Sequence, residues 1–183
     1  MYSTIKQCVI DLEMNGTSMW NDKIICLSAL DTENPKEIIT FHADKSEEEL
    51  LIQFLKFFNA HRFQNVIGYN VFYDHQVVVT HAIKHRLPVG AFYDVQLTDL
   101  MLILKGRRFT YNQVGSLNQW SKFLLNKEKM QTEDSVPALW RQGKLDQISL
   151  YNKHDVELTY QIWKRLHECI GGYNQVVRHG VKQ

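Results

Sequence analysis

The sequence of 183 residues contains few cysteines and prolines, and it lacks any sign of a linker or a low-complexity tract. Its three cysteines are Cys8, Cys26 and Cys169. Their odd number and wide spacing provide neither a disulfide framework nor the closely spaced thiols of zinc and redox motifs. We therefore expect free thiols in a reducing, cytoplasmic environment.

An excess of charge of one sign is also missing. Lysine and arginine number 21 against 20 acids, and the formal net charge is +1. A broad basic surface for duplex binding is therefore not expected, and nucleic-acid binding would need positive charge concentrated locally, which metal ions can supply. No apolar run is long enough to span a bilayer, and the start, MYSTIKQCVIDLE, lacks the pattern of a signal peptide. We expect no membrane association.

Strand and helix patterns alternate in the first half of the chain, and helical patterns dominate the second half. Runs rich in Ile, Val and Leu predict strands at residues 4–12, 23–30, 37–42 and 65–69. Helical periodicity and end signals predict helices at about residues 47–59, 73–86, 99–106, 117–126 and 146–169. This order indicates an α/β fold, with one domain over residues 1–170 and a C-terminal tail over 171–183.

Several acids lie in or beside apolar segments, where an unpaired charge is costly. Asp11 and Glu13 are two residues apart on the first strand, so their side chains share one face, roughly 6–7 Å apart. They either converge on a cation or mark a frayed strand end. Asp74 follows a buried strand and is either a ligand or a helix-start acid. Tyr151 and Asp155 share one face of the last helix, where Tyr151 either serves a site or packs in the core.

The order of these signals is more specific than any one of them. D-x-E lies in IDLEMNG (10–16), N-x-x-x-D in GYNVFYD (68–74) and Y-x-x-x-D in YNKHDVELT (151–159). This order resembles the DEDDy-type 3′→5′ exonucleases of the ribonuclease-H-like superfamily, most closely the proofreading domains of family B DNA polymerases, in a stand-alone form. The resemblance covers residues 5–168 and implies a ribonuclease-H-like mixed β-sheet flanked by α-helices. Leu150 occupies the position where the sister group has histidine, which favours the tyrosine class.

The resemblance also implies the roles of individual residues. Asp11, Glu13, Asp74 and Asp155 would hold two divalent cations, Mg²⁺ or Mn²⁺, with Asp11 bridging both. Glu13 and Asp155 would complete the site of the ion that activates water, and Asp74 would hold the second ion. Tyr151 would orient the attacking water, since an ordinary tyrosine pKa of about 10 makes it a poor base at neutral pH.

Residues beside the acids are candidates for binding the substrate. By the same resemblance, Met14 and Asn15 would pack on the terminal nucleotide, and Asn70 would line the path of the single strand. Phe72 and Tyr73 start a helix, so we expect them to pack in the core, with stacking on a base as the alternative.

The function implied by the resemblance is hydrolysis of single-stranded DNA from a free 3′ end to nucleoside monophosphates, with a polymerase or a replication or repair partner in trans. The alternatives are an RNA 3′→5′ exoribonuclease similar to ribonuclease D and a catalytically inactive nucleic-acid-binding module. Lys105, Arg107 and Arg108 either bind phosphates or cap a helix. His75 and His154 are expected to lie outside the set of ligands.

Overall fold

Five strands form one mixed sheet in the computed structural model, which describes residues 5–105 and 115–170. The strands are β1 (Gln7–Met14), β2 (Ile24–Asp31), β3 (Ile38–His42), β4 (Asn65–Gly68) and β5 (Gln96–Asp99). Their order across the sheet is β3-β2-β1-β4-β5, with β1 in the middle. The pairs β1–β2 and β2–β3 are antiparallel, whereas β1–β4 and β4–β5 are parallel. The expected mixed sheet flanked by helices is confirmed.

The helices cover both faces of this sheet. They are α1 (Glu47–His61), α2 (Val71–Lys84), α3 (Gly90–Tyr93), α4 (Leu100–Lys105), α5 (Leu117–Leu125), α6 (Val136–Arg141) and α7 (Leu145–Ile170). One core lies between the sheet and α1, α2 and α3. A second core joins the opposite face to α4, α5 and α7, and a smaller one joins β2 to α6 and α7. A sheet buried on both faces needs such covering layers.

Alternation along β1 decides which side chains face the long helix α7. Ile10 and its even-numbered neighbours on the strand belong to the core with α1 and α2. Val9 belongs to the opposite core, together with Val156 of α7. Because side chains alternate between the faces of a strand, Asp11 and Glu13 share the face of Val9 and are directed towards α7.

The face of α7 that packs on the sheet carries a stripe of polar residues. Its apolar members include Val156 and Ile162, both fully buried. The polar stripe of α7 consists of four buried residues at helical spacing: Ser149, Asn152, Asp155 and Thr159. Polar groups in such a position need partners from the sheet. The stripe therefore brings hydrogen-bonding groups against β1 and β2.

Helix ends follow the sequence signals in part. Ser46 caps α1 by accepting a bond from the Glu49 N–H, at 3.1 Å, whereas the Glu49 carboxylate accepts a bond from Gln53. Ser116 caps α5 with a complete reciprocal capping box formed with Gln119. The predicted helix end at residue 106 and the predicted tail at 171–183 lie outside the described residues.

One strand was not predicted from the sequence. Residues 96–99 form β5, whereas helical periodicity alone predicted only a helix from Asp99. The strand has four residues at the edge of the sheet, and only one of them is buried. It therefore lacks the run of apolar residues from which a strand is predicted. Its pairing with β4 supplies the order that its own sequence does not specify. Helix α2 also begins two residues earlier than predicted, at Val71.

Candidate active site

Three carboxylates from distant parts of the chain meet beside the centre of the sheet. Asp11 and Glu13 of β1 face α7, and Asp155 of the polar stripe of α7 faces them. One ligand oxygen from each of the three lies within 4.8 Å of the others. Asp155 is only 2% exposed, so its charge has little contact with water. Carboxylate oxygens at such distances are hard ligands suited to a divalent cation.

Asp74 approaches this group from the start of α2. Parallel pairing of β1 with β4 ends at Val9 and Ile67, and the chain then turns into α2. Beyond that point the Leu12 N–H of β1 donates to Asp74 Oδ1 at 3.2 Å. The three-acid group does not include Asp74, but the charge of Asp74 adds to the repulsion felt by Asp11.

The turn from β4 into α2 requires glycine at position 68, because neighbouring atoms lie very close to it. A Cβ atom on Gly68 would lie 2.9 Å from the Val71 Cβ and 3.2 Å from the Ile10 carbonyl oxygen. Only glycine leaves room for α2 to start against β1 in this way. The contact therefore fixes the position from which Asp74 reaches the sheet.

Burial and mutual repulsion raise the pKa values of the acids. Burial raises the pKa of Asp11 well above its ordinary value, and the charges of Asp74, Asp155 and Glu13 add to the effect. Burial likewise raises the pKa of Glu13 to about 7 and that of Asp74 to about 8. Such a cluster is unfavourable in the ionised state unless positive charge is brought to it.

Lys129 supplies one positive charge to the cluster. Its Nζ lies 2.5 Å from Asp155 Oδ2 and 4.4 Å from the centre of the Tyr151 ring. Its backbone N–H donates to Asn118 Oδ1 at 2.7 Å, which ties this part of the loop after α5 to that helix. Burial acts to lower the pKa of Lys129, but attraction by Asp155 outweighs it and raises the pKa overall.

An unpartnered atom remains at the centre of the site. Among the described residues, Asp155 Oδ1 is buried and makes no hydrogen bond. A buried carboxylate oxygen without a donor is unfavourable. A cation coordinated by Asp11, Glu13 and Asp155 would satisfy it, so the residues present fit a divalent metal ion.

Tyr151 lies next to Lys129 on the same side of α7. Burial raises the pKa of Tyr151, although its hydrogen bond to Lys129 opposes the rise. The hydroxyl therefore stays protonated at neutral pH and can donate or accept a hydrogen bond, but it is not a base.

Comparison with known proteins places this geometry in a family. A model of the RNase H superfamily matches residues 8–167, which is most of the chain. The chain belongs to the RNase H superfamily. Members are usually nucleases, and these use divalent metal ions. An uncharacterized protein of Methanocaldococcus jannaschii is 25% identical over 173 residues, covering 89% of this chain and 96% of the relative.

A solved structure supports the same fold. The family B DNA polymerase from the hyperthermophilic archaeon Pyrobaculum calidifontis matches 90% of this chain with a TM-score of 0.74 at 14% identity. The chain spans about a quarter of that polymerase, 25% of its length. The expected resemblance to the RNase H superfamily and to family B polymerases is thus confirmed. In the part of the chain that the structure describes, no helix is both long and apolar enough to cross a membrane.

In this RNase H superfamily chain, a cleft of about 270 Å³ opens beside Glu13. Its walls also include Met14, Thr17, Tyr73 and Pro137. Met14 is buried at 6% exposure, and its sulfur accepts a hydrogen bond from the Tyr73 hydroxyl at 3.6 Å. The apolar Met14 and the Tyr73 ring thus lie next to the Glu13 carboxylate.

Two aromatic residues at the start of α2 are exposed, which makes the expectation that they pack in the core wrong. Phe72 is 44% exposed and Tyr73 is 37% exposed. Val71 and Asp74 take the inward positions of the first turn of α2 instead. Trp20, in the loop after β1 that also contributes Thr17 to the cleft, is 77% exposed. Exposed rings near a cleft can stack on bases.

The two asparagines predicted to bind substrate have structural partners. Asn15 Oδ1 accepts a hydrogen bond from the Lys23 N–H at 2.7 Å, which closes the loop between β1 and β2. Asn70 adopts a left-handed conformation with φ of 67°, and its N–H donates to Asp99 Oδ1 at 3.0 Å. The Asn70 side chain makes no capping bond to α2. Substrate contacts from either residue stay a prediction.

The remaining predicted residues divide by position. His75 binds the Phe92 carbonyl at 2.9 Å and His154 binds the Glu128 carbonyl at 3.1 Å, so both rings face backbone. Lys105 ends α4, whereas Arg107 and Arg108 lie outside the described residues.

Two residues of the site were missed by sequence reasoning. Lys129 lies in a polar loop with no periodicity, so no local signal distinguishes it from Lys127. Asn152 donates to Asp11 Oδ2 at 2.6 Å from the polar stripe of α7. The spacing of Ser149, Asn152 and Asp155 is a signal that could have found it, because helical spacing places all three on one face.

Proposed function

We propose that the protein is a metal-dependent 3′→5′ exonuclease that hydrolyses single-stranded DNA to nucleoside monophosphates. The observation that carries the proposal is the convergence of Asp11, Glu13 and Asp155 within 4.8 Å, beside Asp74, in an RNase H superfamily fold. The Tyr151 hydroxyl on the same helix as Asp155 supports the tyrosine class. Resemblance to the proofreading domains of family B polymerases supports DNA as the substrate.

The metal ligands in this proposal are Asp11, Glu13, Asp74 and Asp155, and the ions are two Mg²⁺ or Mn²⁺. When bound, the ions activate a water molecule and stabilise the charge that develops on the leaving 3′ oxygen. Hard carboxylate ligands favour these ions over softer metals.

The protein groups around the ligands position the reactants. Tyr151 remains protonated and orients the attacking water through its hydroxyl. Lys129 is held at Asp155 by charge, and its ammonium would be available to a phosphate of the strand if a cation took over the charge of Asp155. Met14 and Tyr73 receive the terminal nucleoside in the cleft beside Glu13, which has a volume of about 270 Å³. Phe72, exposed at the start of α2, is placed to stack on a base.

A cleavage assay with defined ends tests the proposal. Single-stranded DNA and RNA of one sequence, labelled at the 5′ end, are incubated with the protein and Mg²⁺ or Mn²⁺. We expect DNA to shorten stepwise from the 3′ end, with release of nucleoside monophosphates, and a 3′-phosphate end to slow the first step. Asp11→Asn should abolish cleavage, whereas Asp94→Asn, which changes an exposed aspartate outside the site, should not.

Three outcomes would contradict the proposal. Preferential degradation of RNA would replace DNA with RNA as the substrate and favour the exoribonuclease alternative. Cleavage that persists in Asp11→Asn would show that the activity does not come from this site. Lack of metal-dependent cleavage on every strand would favour a nucleic-acid-binding module.

A further inference from the structure

We propose that Asn152 is a positioning residue that holds the Asp11 carboxylate in the orientation needed to bind metal. The inference rests on the proposed function, since it assigns a role at the same metal site. Asn152 lies next to Tyr151 in the chain, but it faces the sheet and is fully buried. It does not contact the cleft, so its effect must pass through Asp11.

The contact is short and comes from the interior. Asn152 Nδ2 donates to Asp11 Oδ2 at 2.6 Å, over a separation of 141 residues along the chain. The other end of the amide faces Cys26 of β2, whose Sγ lies 3.6 Å from Asn152 Oδ1. Cys26 is paired with Glu13 in the β1–β2 ladder, so the amide bridges from the strand beside one acid to the side chain of another.

The Asp11 carboxylate determines which way the amide points. An ionised carboxylate only accepts hydrogen bonds, so the NH₂ group of Asn152 is directed at Asp11. The amide oxygen then faces the Cys26 thiol, which donates to it. The hydrogen bonds therefore run from the Cys26 thiol to the Asn152 amide, and from that amide to a carboxylate oxygen of Asp11.

A neutral hydrogen-bond donor such as the Asn152 amide suits a position beside the Asp11 carboxylate. It stabilises the ionised form of Asp11 and limits rotation of the carboxylate, yet adds no charge that would compete with a cation. Lys129 differs, since its ammonium holds Asp155 by charge and would repel a cation bound beside it. Asn152 can keep its hydrogen bond whether or not a metal is bound.

Metal binding measured directly tests this role. In Asn152→Leu, the side chain keeps a branched shape of similar size but loses both polar atoms. We expect Mn²⁺ affinity, measured by isothermal titration calorimetry, to fall about 10- to 100-fold, the usual effect of removing a hydrogen bond to a metal ligand. The Mn²⁺ concentration for half-maximal DNA cleavage should rise by the same factor, while KM for DNA at saturating Mn²⁺ stays unchanged.

Asn65→Leu is the matched control. Asn65 is also buried, and its side chain bonds to Gln7 and Thr98 at the other end of the sheet. It should lose stability without change in Mn²⁺ affinity. Should Asn152→Leu fail to melt cooperatively, Asn152→Ala tests the same bond with less steric change.

The outcomes separate the two proposals. Unchanged Mn²⁺ affinity in a folded Asn152 variant overturns the positioning role, even if the enzyme is active. Wild-type protein that binds Mn²⁺ but cleaves no nucleic acid overturns the proposed function, and the titrations still decide the role of Asn152. Wild-type protein that does not bind Mn²⁺ overturns both.

Discussion

Removing the positive charge of Lys129 should destabilise the metal-free protein and enlarge its response to metal. In Lys129→Met the side chain keeps its length and apolar stem but leaves Asp155 without its counter-charge. Asp155 is 2% exposed, and its Oδ1 already has no hydrogen bond among the described residues. An uncompensated buried carboxylate beside Asp11 and Glu13 then has to stay charged or take up a proton.

The size of the effect follows from this geometry. Breaking a buried ion pair by removing one partner costs about 3 kcal/mol, the lower end of the usual range, because the Lys129 side chain is itself 27% exposed. For a domain of this size, that loss corresponds to a fall in melting temperature of roughly 6–12 °C. The fall in melting temperature should be largest near pH 8. It should be smaller near pH 5, where carboxyl groups with raised pKa values are protonated and repel one another less.

Melting curves with and without metal measure the prediction. Mg²⁺ or Mn²⁺ at millimolar concentration should raise the melting temperature of Lys129→Met more than that of wild type, because the cation replaces the missing ammonium. Asp155→Ala should shrink the rise. Lys127→Met, which removes an exposed lysine from the same loop, is the control and should melt like wild type. A Lys129→Met variant that melts with wild type at pH 8, or gains less from metal, would refute the reasoning.

Further predictions concern other parts of the fold. Without metal, the protein should lose stability as the pH rises from 5 to 8. Glu13 and Asp74 have native pKa values near 7 and 8, so the folded state binds more protons than the unfolded state over this range. Saturating Mg²⁺ should reduce this pH dependence of the melting temperature in thermal melts. Glu47→Gln should cost about 3 kcal/mol at pH 7 in urea unfolding. Despite its burial, hydrogen bonds from His81, His85 and a backbone N–H lower the Glu47 pKa to about 2, so the cost should disappear as pH falls from 4.5 towards 2. Gly68→Ala should lower stability by about 1–3 kcal/mol and reduce cleavage, because the new Cβ pushes against α2 and moves Asp74; unaltered melting and cleavage would contradict this.

The central elements of the fold were predictable because their burial follows a regular period. Apolar residues on β1 and β2, and helical spacing on α1 and α7, match the structure to within a few residues. β5 was not predictable, since its order depends on pairing with β4 and not on its own apolar content. Phe72 illustrates a different limit: the helical pattern predicted a helix but not that Phe72 would be 44% exposed in its first turn.

The convergence of Asp11, Glu13 and Asp155 was predictable because the order of the acids along the chain resembles that of a known family, although each acid alone has an ordinary structural explanation. Their partners were not. Lys129 reaches Asp155 only because Asn118 accepts from its backbone N–H and the loop after α5 folds back on α7. No local pattern encodes such a contact. Asn152 stands between these cases, since the polar stripe of α7 was visible in the sequence but its partner on β1 was not.

Lys129 and Asn152 differ in a way that suits the proposed metal site. Asp155 is held by a charge on a loop, and a charge can be displaced by a stronger cation with little movement of the helix or sheet. Asp11 is held by a neutral amide inside the polar stripe of α7, and that bond does not compete with an ion. If both partners were cations, metal would have to displace two ion pairs. If both were neutral, the four acids would repel one another unopposed before metal binds, so one displaceable charge and one fixed donor reconcile stability without metal with affinity for it.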